Sequence, residues 1–408
     1  MNAPRPLRVA LLTHSVRPRG GVVHTIELAH ALRRRGHAVT IVASAEQGET
    51  LYRTVDVPVS LIRLPVLAGT LVDQVRQRIA TLVHALPALL AAGRFDLVHA
   101  QDSLSGNALA TLREAGLRVP TWLRTVHHLD RFEAPVLNEW QERAWRHADG
   151  LACVSDSWQA HFHATWGIAA TRMFNGVNLD VFKPASDRSD EALLEALGLP
   201  ASTHPACLLV GGVEARKNTL RVLEAFARLR QTCREWRDAR LVIAGGASML
   251  DHRAARDAWR ERVAALDLAE GPDAPVLRTG PLPDAAIPAL MRRASVLAMP
   301  SLVEGFGLAA LEALACGTPV LVSRRQPFIE HLADTPGVAW CDPESVTDIA
   351  DGLQAAARLP RHPIPPPVCI DYSWDRSARL HEAWYRQALD DAASVAIPIH
   401  ADLVQPTL

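Results

Sequence analysis

Short, mostly apolar runs alternate with amphipathic stretches along this chain, and the alternation starts afresh halfway. In the first half, residues 7–12, 39–43, 61–64, 95–100, 119–126 and 150–155 read as strands. Between them, residues 22–35, 71–92, 104–115, 136–147 and 157–166 read as helices. The first helix sets Val23, Ile26, Ala29 and Leu32 on one face, gathers Arg33, Arg34 and Arg35 at its C-terminus, where cations suit the helix dipole, and stops at Gly36. Strands apolar on both faces need cover on both faces. Alternating with helices, they predict a doubly wound α/β fold around a parallel sheet.

The turn-rich stretch Asn175-Gly176-Val177-Asn178, followed by Lys183-Pro184 and a polar run at 186–190, marks a domain boundary. The pattern then restarts, with strands at 207–210, 241–244, 276–277, 294–299, 320–322 and 337–340 and helices between them. A proline-rich linker at 362–367 leads to a last helix at about 375–389. The expected divisions are a first domain at 1–183, a second at 184–372, a C-terminal helix at 373–392 and a tail at 393–408. Two Rossmann-like sheets in tandem predict a ligand cleft between the domains, at the C-terminal ends of their strands.

A formal net charge of -1 gives no reason to expect a nucleic-acid partner. The six cysteines lack C-x-x-C spacing and suit reduced thiols, and no apolar window reaches membrane-spanning length. The expected location is the cytoplasm, with peripheral contact at the inner membrane face left open. No metal site is expected from the local histidine and cysteine spacing.

The stretch from Pro300 to Val320 is the most informative. It runs from a buried strand through a loop carrying Glu304, Gly305, Phe306 and Gly307 into a helix from Gly307 to Cys316, with Gly317 where a helix-ending glycine belongs. Glu312 falls in the second turn among Leu308, Leu311, Ala313 and Ala315, where a carboxylate needs a polar partner or a shifted pKa. Eight positions apart with glycines between, Glu304 and Glu312 can each accept from the hydroxyls of a vicinal diol.

A second cluster, Gly211-Gly212-Val213-Glu214-Ala215-Arg216-Lys217-Asn218, follows the first strand of the second half. Adjacent cations after a glycine turn, at a helix start, make a diphosphate clamp, and lysine occurs only at Lys183 and Lys217. In the first half, Gly20-Gly21 occupies the matching loop, although alone the pair serves equally well as a plain turn. His127-His128 ends a strand, where a histidine can serve a sugar hydroxyl or a leaving phosphate; among 17 histidines a surface pair is the simpler reading of this feature by itself.

These blocks together resemble the retaining, nucleotide-sugar-dependent glycosyltransferases of family 4 (group 1), over nearly the whole length. The block from Glu304 to Glu312 is similar to that family's E-x7-E motif. The Gly20-Gly21 loop, His127, Asn175-Gly176-Val177, Glu214 to Asn218, Thr279 to Asp284 and the Tyr372-Ser373-Trp374-Asp375 segment fit as well. The resemblance implies the GT-B architecture, with a C-terminal helix crossing back to the N-terminal, acceptor-binding domain.

It further implies a hexosyl group moved from a UDP- or GDP-linked sugar, with retention of configuration and without a metal or other cofactor. Gly20, Gly21, Arg216 and Lys217 would hold the donor diphosphate, and Glu304, Gly305, Phe306, Gly307 and Leu308 the donor sugar. Glu312 would hold the ribose, and Arg278, Thr279, Gly280 and Leu282 would line the nucleobase pocket. His127, Glu304, Arg216 and Lys217 would be catalytic, and the acceptor a small molecule, lipid or glycan.

Three departures stand out: Gly212 where many relatives carry arginine, Ala309 where proline is usual, and Asn178 where aspartate is common. Two other readings compete. A two-lobed nucleotide-sugar-binding protein would keep the fold without turnover. A nicotinamide-dependent oxidoreductase would call for G-x-G-x-x-G, and a P-loop enzyme for G-x-x-x-x-G-K-[ST]; the sequence carries neither.

Overall fold

The computed structural model describes residues 5–186, 188–199, 206–246 and 253–395. The chain gathers into two compact units. One holds the residues through Cys153, Ile168–Met173 and the residues from Ser377 onward; the other holds Val154–Gly167 and Phe174–Arg376. The backbone thus passes between units at Cys153/Val154, Gly167/Ile168, Met173/Phe174 and Arg376/Ser377.

The first unit is built on seven strands: β1 (Arg8–Thr13), β2 (Ala38–Ala45), β3 (Val59–Arg63), β4 (Leu97–Ala100), β5 (Thr121–Val126), β6 (Gly150–Cys153) and β7 (Thr171–Arg172). They form one parallel sheet in the order β3-β2-β1-β4-β5-β6-β7. On one face Leu82, Leu86, Leu109 and Leu112, from helices Leu71–Gly93 and Ser103–Glu114, pack with Leu12, Val42, Val98 and Trp122. The longer of these helices opens with a capping box in which Thr70 accepts from the Asp73 N–H and the Asp73 side chain accepts from the Thr70 N–H.

The second unit holds β8 (Ala206–Val210), β9 (Arg240–Ala244), β10 (Val276–Gly280), β11 (Val296–Met299), β12 (Val320–Ser323) and β13 (Val338–Cys341). They too form a parallel sheet, in the order β10-β9-β8-β11-β12-β13. Successive residues feed opposite cores. Leu208, Val242, Leu297 and Val320 enter one, while Leu209, Ile243, Val296 and Leu321 enter the other. Both faces are covered by helices, which is why the central positions of these strands are apolar on both sides.

In each sheet the strand order reverses beside the first strand, at β1/β4 and at β8/β11. The loops leaving those strands diverge there and open a crevice at the C-terminal edge, where ligands of such sheets bind. The last helix, Trp374–Val395, joins the first unit from Ser377 onward, as expected of a returning C-terminal helix. Its Glu382 meets Arg35 at 2.6 Å and Arg386 at 2.9 Å, and its Tyr385 hydroxyl lies 2.7 Å from His99 Nδ1.

Several expectations need correction. Gly20 and Gly21 are not in a loop; they form the first turn of helix Gly20–Arg34, which starts after an extended Arg19 that makes no side-chain cap bond. Part of the polar run at the expected boundary is helical (Arg188–Ala196), and the proline-rich linker gives way to a short helix, Pro367–Asp371, whose first proline suits a helix start. The tail expected at 393–408 lies outside the described residues beyond Val395. Among the described residues, no helix is long and apolar enough to cross a membrane.

Candidate active site

In the second unit the expected charged residues converge at the β8/β11 switch point. Leaving β8, the chain turns through Gly211 at φ +121°, makes the short turn Ala215–Lys217, and enters helix Thr219–Thr232. Only a residue without a side chain fits at Gly211, because a Cβ there would occupy the space of the Lys217 ammonium. Asn218 holds the turn in the left-handed region at φ +62°. Its amide donates to Pro300 O at 3.0 Å and Pro343 O at 2.7 Å, and its carbonyl oxygen accepts from Arg221 at 3.0 Å. One buried side chain therefore ties together the loops following β8, β11 and β13.

A backbone bond completes the arrangement: Leu302 N–H donates to Arg216 O at 2.8 Å, which sets the Arg216 and Glu304 turns side by side. The Arg216 guanidinium lies 3.0 Å from Glu214 and 3.6 Å from Glu304. Glu304 is further oriented by the Gly305 N–H at 3.0 Å and the Ser301 hydroxyl at 3.5 Å. Lys217 donates to Val210 O at 2.8 Å. Burial pushes the Lys217 ammonium below its usual pKa; Glu304 and Glu214 pull it back up, and Arg216 adds to the lowering. Val210, Gly211, Lys217, Met299 and Ser301 line a small cavity at these strand ends. Two cations and two carboxylates held by backbone bonds make a site ready for a polyanion that also carries hydroxyls.

Beyond Glu304 the chain reaches Gly307 at φ +87° and starts helix Leu308–Ala315. The Phe306 ring is buried, stacked on His331 at 4.9 Å and edge-on to Tyr372 at 5.5 Å, so only its backbone can address a ligand. With Gly307 and Leu308 it brings amides to the helix N-terminus, where N–H groups lack helical partners. Glu312 is half-buried in the second turn. Burial, with Glu312 nearby as a lesser cause, pushes the Cys316 thiol up to about 12.

The expected nucleobase residues lie two strands away on the same edge. Gly280 bridges Gly245 at the end of β9, and Thr279 Oγ1 accepts from Gly245 N–H at 3.4 Å. Leu282 packs against the core. Arg278, in contrast, is exposed and engaged by Glu270 at 2.6 Å.

In the first unit, Gly21 and His127 come together: a Cβ on Gly21 would sit 3.6 Å from the His127 ring, while Gly20 faces open space. His127, just beyond β5, meets the His24 ring at 4.7 Å and Gln101 Oε1 at 2.9 Å. Burial, then His24, Arg124, His128 and His99, hold the His127 imidazole well below its usual pKa, which favours the neutral ring. Exposed His128 pairs instead with Asp130 at 3.3 Å. The sequence reading missed Gln101, although it follows β4 directly at the switch point, a position worth inspecting for any polar residue.

Two family models match the chain, "Glycosyltransferase Family 4" over residues 18–181 and "Glycosyl transferases group 1" over residues 198–363. A D-inositol 3-phosphate glycosyltransferase of Kineococcus radiotolerans is 30% identical over 349 residues, 78% of this chain and 77% of that protein. The chain belongs to the family 4, group 1 glycosyltransferases. Solved structures carry the same fold. Sucrose-phosphate synthase from Thermosynechococcus elongatus superposes with a TM-score of 0.76 at 22% identity, covering 94% of this chain and 99% of that one. Anabaena HepE in complex with UDP and glucose gives 0.66 at 18% identity, covering 95% and 99%. The architecture is GT-B, and the enzyme is a glycosyltransferase.

Proposed function

We propose that the enzyme transfers a hexosyl group from a UDP- or GDP-linked sugar, with retention of anomeric configuration and without a metal, and that the β8/β11 switch point of the second unit is its donor site. The observation that carries this reading is the convergence of Arg216, Lys217 and Glu304 on one crevice. Lys217, part-buried against Val210 O, and Arg216, shared between Glu214 and Glu304, are the cations available to a diphosphate. As the glycosidic bond breaks, their charge would stabilise the departing diphosphate, the role a divalent cation plays elsewhere. Glu304 would accept from donor-sugar hydroxyls, and the N–H groups of Gly305, Gly307 and Leu308 would donate to sugar oxygens.

Glu312 is proposed for the ribose, and Thr279, Gly280 and Leu282 for the base. The ion pair to Glu270 makes Arg278 the weakest member of that set. The first unit would receive the acceptor, with His127 giving or taking a hydrogen bond at the transferring sugar and the amides of Gly20 and Gly21 meeting anionic oxygens at their helix start.

The relative named as a D-inositol 3-phosphate glycosyltransferase makes a polyol phosphate the first acceptor to assay, ahead of lipids and glycans. UDP-glucose is the first donor, given the UDP and glucose in the HepE complex. All six cysteines are free, five of them buried, which supports a reducing, cytoplasmic setting. The test is transfer from UDP-, GDP- and ADP-sugars in the presence of a chelator, with the product's anomeric configuration read by NMR. Turnover of one donor with retention supports the reading; an inverted product or an absolute metal requirement contradicts it.

A further inference from the structure

Gln101 is 3% exposed and held from both sides. Its N–H donates to Leu12 O at 2.9 Å, and the next residue, Asp102, caps helix Ser103–Glu114 by accepting from the Ser105 N–H and hydroxyl, each at 2.8 Å. From this fixed backbone the carboxamide lies between two histidines. Its oxygen is 2.9 Å from His127 Nε2, and its nitrogen is 3.1 and 3.2 Å from the two nitrogens of His99. His99 has no in-plane position left for it. Its Nδ1 is bonded to the Tyr385 hydroxyl at 2.7 Å and its Nε2 to the Thr125 hydroxyl at 2.8 Å. The amide NH2 therefore rests against the ring of His99, an arrangement a donor tolerates and a carbonyl oxygen, facing the negative π surface, does not.

We propose that Gln101 is a positioning residue that fixes the tautomer of His127, keeping its proton on Nε2 and leaving Nδ1 to accept from a substrate hydroxyl. An amide oxygen accepts only, so the imidazole nitrogen facing it must carry hydrogen. The groups facing His127 are His24 from helix Gly20–Arg34, His99 from β4, Arg124 from β5 and the adjacent His128; none is a carboxylate, and all oppose a second proton. Tyr385 and Thr125 brace the far end of the relay by holding the His99 ring still. The part played by Nδ1 rests on the catalytic reading of His127; the tautomer does not.

The test reads the proton directly. In full-length protein carrying 15N-histidine, the His127 signals, identified by their loss in His127→Gln, are to show a neutral Nε2–H ring from about pH 6 to 8. Folded Gln101→Leu should lose that pattern and lower kcat roughly tenfold, the scale of second-layer hydrogen-bond partners, with little change in donor KM. Gln101→Glu keeps the shape but sets a carboxylate beside the ring. It should make His127 titrate within that pH range and give the transfer rate a pH dependence the wild type lacks. An Nδ1–H ring in the wild type, or an unchanged Nε2–H signal in folded Gln101→Leu, overturns the proposal. Wild-type transfer by His127→Gln would instead overturn the catalytic reading of His127 and leave the tautomer assignment standing.

Discussion

Lys217 is a part-buried ammonium whose hydrogen bond goes to a backbone carbonyl, Val210 O. Burial lowers its pKa from 10.5, so the fold disfavours its charged form. Below the folded value both the folded and the unfolded chain carry the charge, and the full cost of burying it stands. The cost fades only as pH rises from the folded value toward 10.5. Replacing this lysine by an apolar residue of similar length removes the cost along with the function. Lys217→Met is therefore expected to melt at or above the wild-type temperature at pH 7 while losing about 10²–10³-fold in kcat. A lower melting temperature would contradict the desolvation argument. Glu304→Ala is expected to lose transfer on a similar scale, about 10²-fold or more, and to remain folded, since its partner Arg216 is part-exposed and keeps its ion pair to Glu214. Wild-type rates in either variant would remove that residue from the site.

Two elements depend on single residues that hold them in place. The C-terminal helix is fastened by Glu382. Burial pushes its carboxyl up, but hydrogen bonds from Arg35, Arg386 and His37 outweigh this and hold it at about 2. A carboxylate depressed in the fold stabilises fully above its unfolded value near 4.5, and the gain is lost as pH falls toward 2. Glu382→Gln should cost about 1–3 kcal/mol at pH 7 in denaturant titrations, and the gap to wild type should close through that acidic window. Helix Leu308–Ala315 depends on Gly307, where alanine would meet both a left-handed φ of +87° and the Phe328 ring; Gly307→Ala should destabilise by about 1–3 kcal/mol. These elements also show what the sequence made legible. Strands such as β1 and β11, buried on both faces, are plain as apolar runs. The two-residue β7 carries too little pattern to see, and Gly20-Gly21 read as a turn because glycine marks loops more often than the first turn of a helix. Gln101 escaped for a different reason. Its meaning lies in a partner 26 positions away, and nothing local announces a tertiary hydrogen bond.

For the whole molecule, two parallel sheets with reversals at β1/β4 and β8/β11 place every loop with candidate chemistry at a strand's C-terminal edge. The parallel sheets and their functional C-terminal edges followed from the spacing of apolar runs, while the strand order and the pairing of Arg216 with Glu304 needed the fold, because the two lie on separate loops joined by Asn218 and by the Leu302–Arg216 backbone bond. Family membership fixes the reaction class, and the ligand is left to experiment. A nucleoside diphosphate present at about 100 times its Kd should stabilise the fold by about 2.7 kcal/mol, enough to raise the melting temperature visibly in a screen of UDP, GDP, ADP and NADH. The most direct measurement pairs that screen with turnover of the matching nucleotide sugar by wild type and Lys217→Met. The expected result is stabilisation by one nucleoside diphosphate, turnover of its sugar by wild type, and loss of both in the variant. Stabilisation by NADH above every nucleoside diphosphate, with no transfer or hydrolysis of any donor, would contradict it.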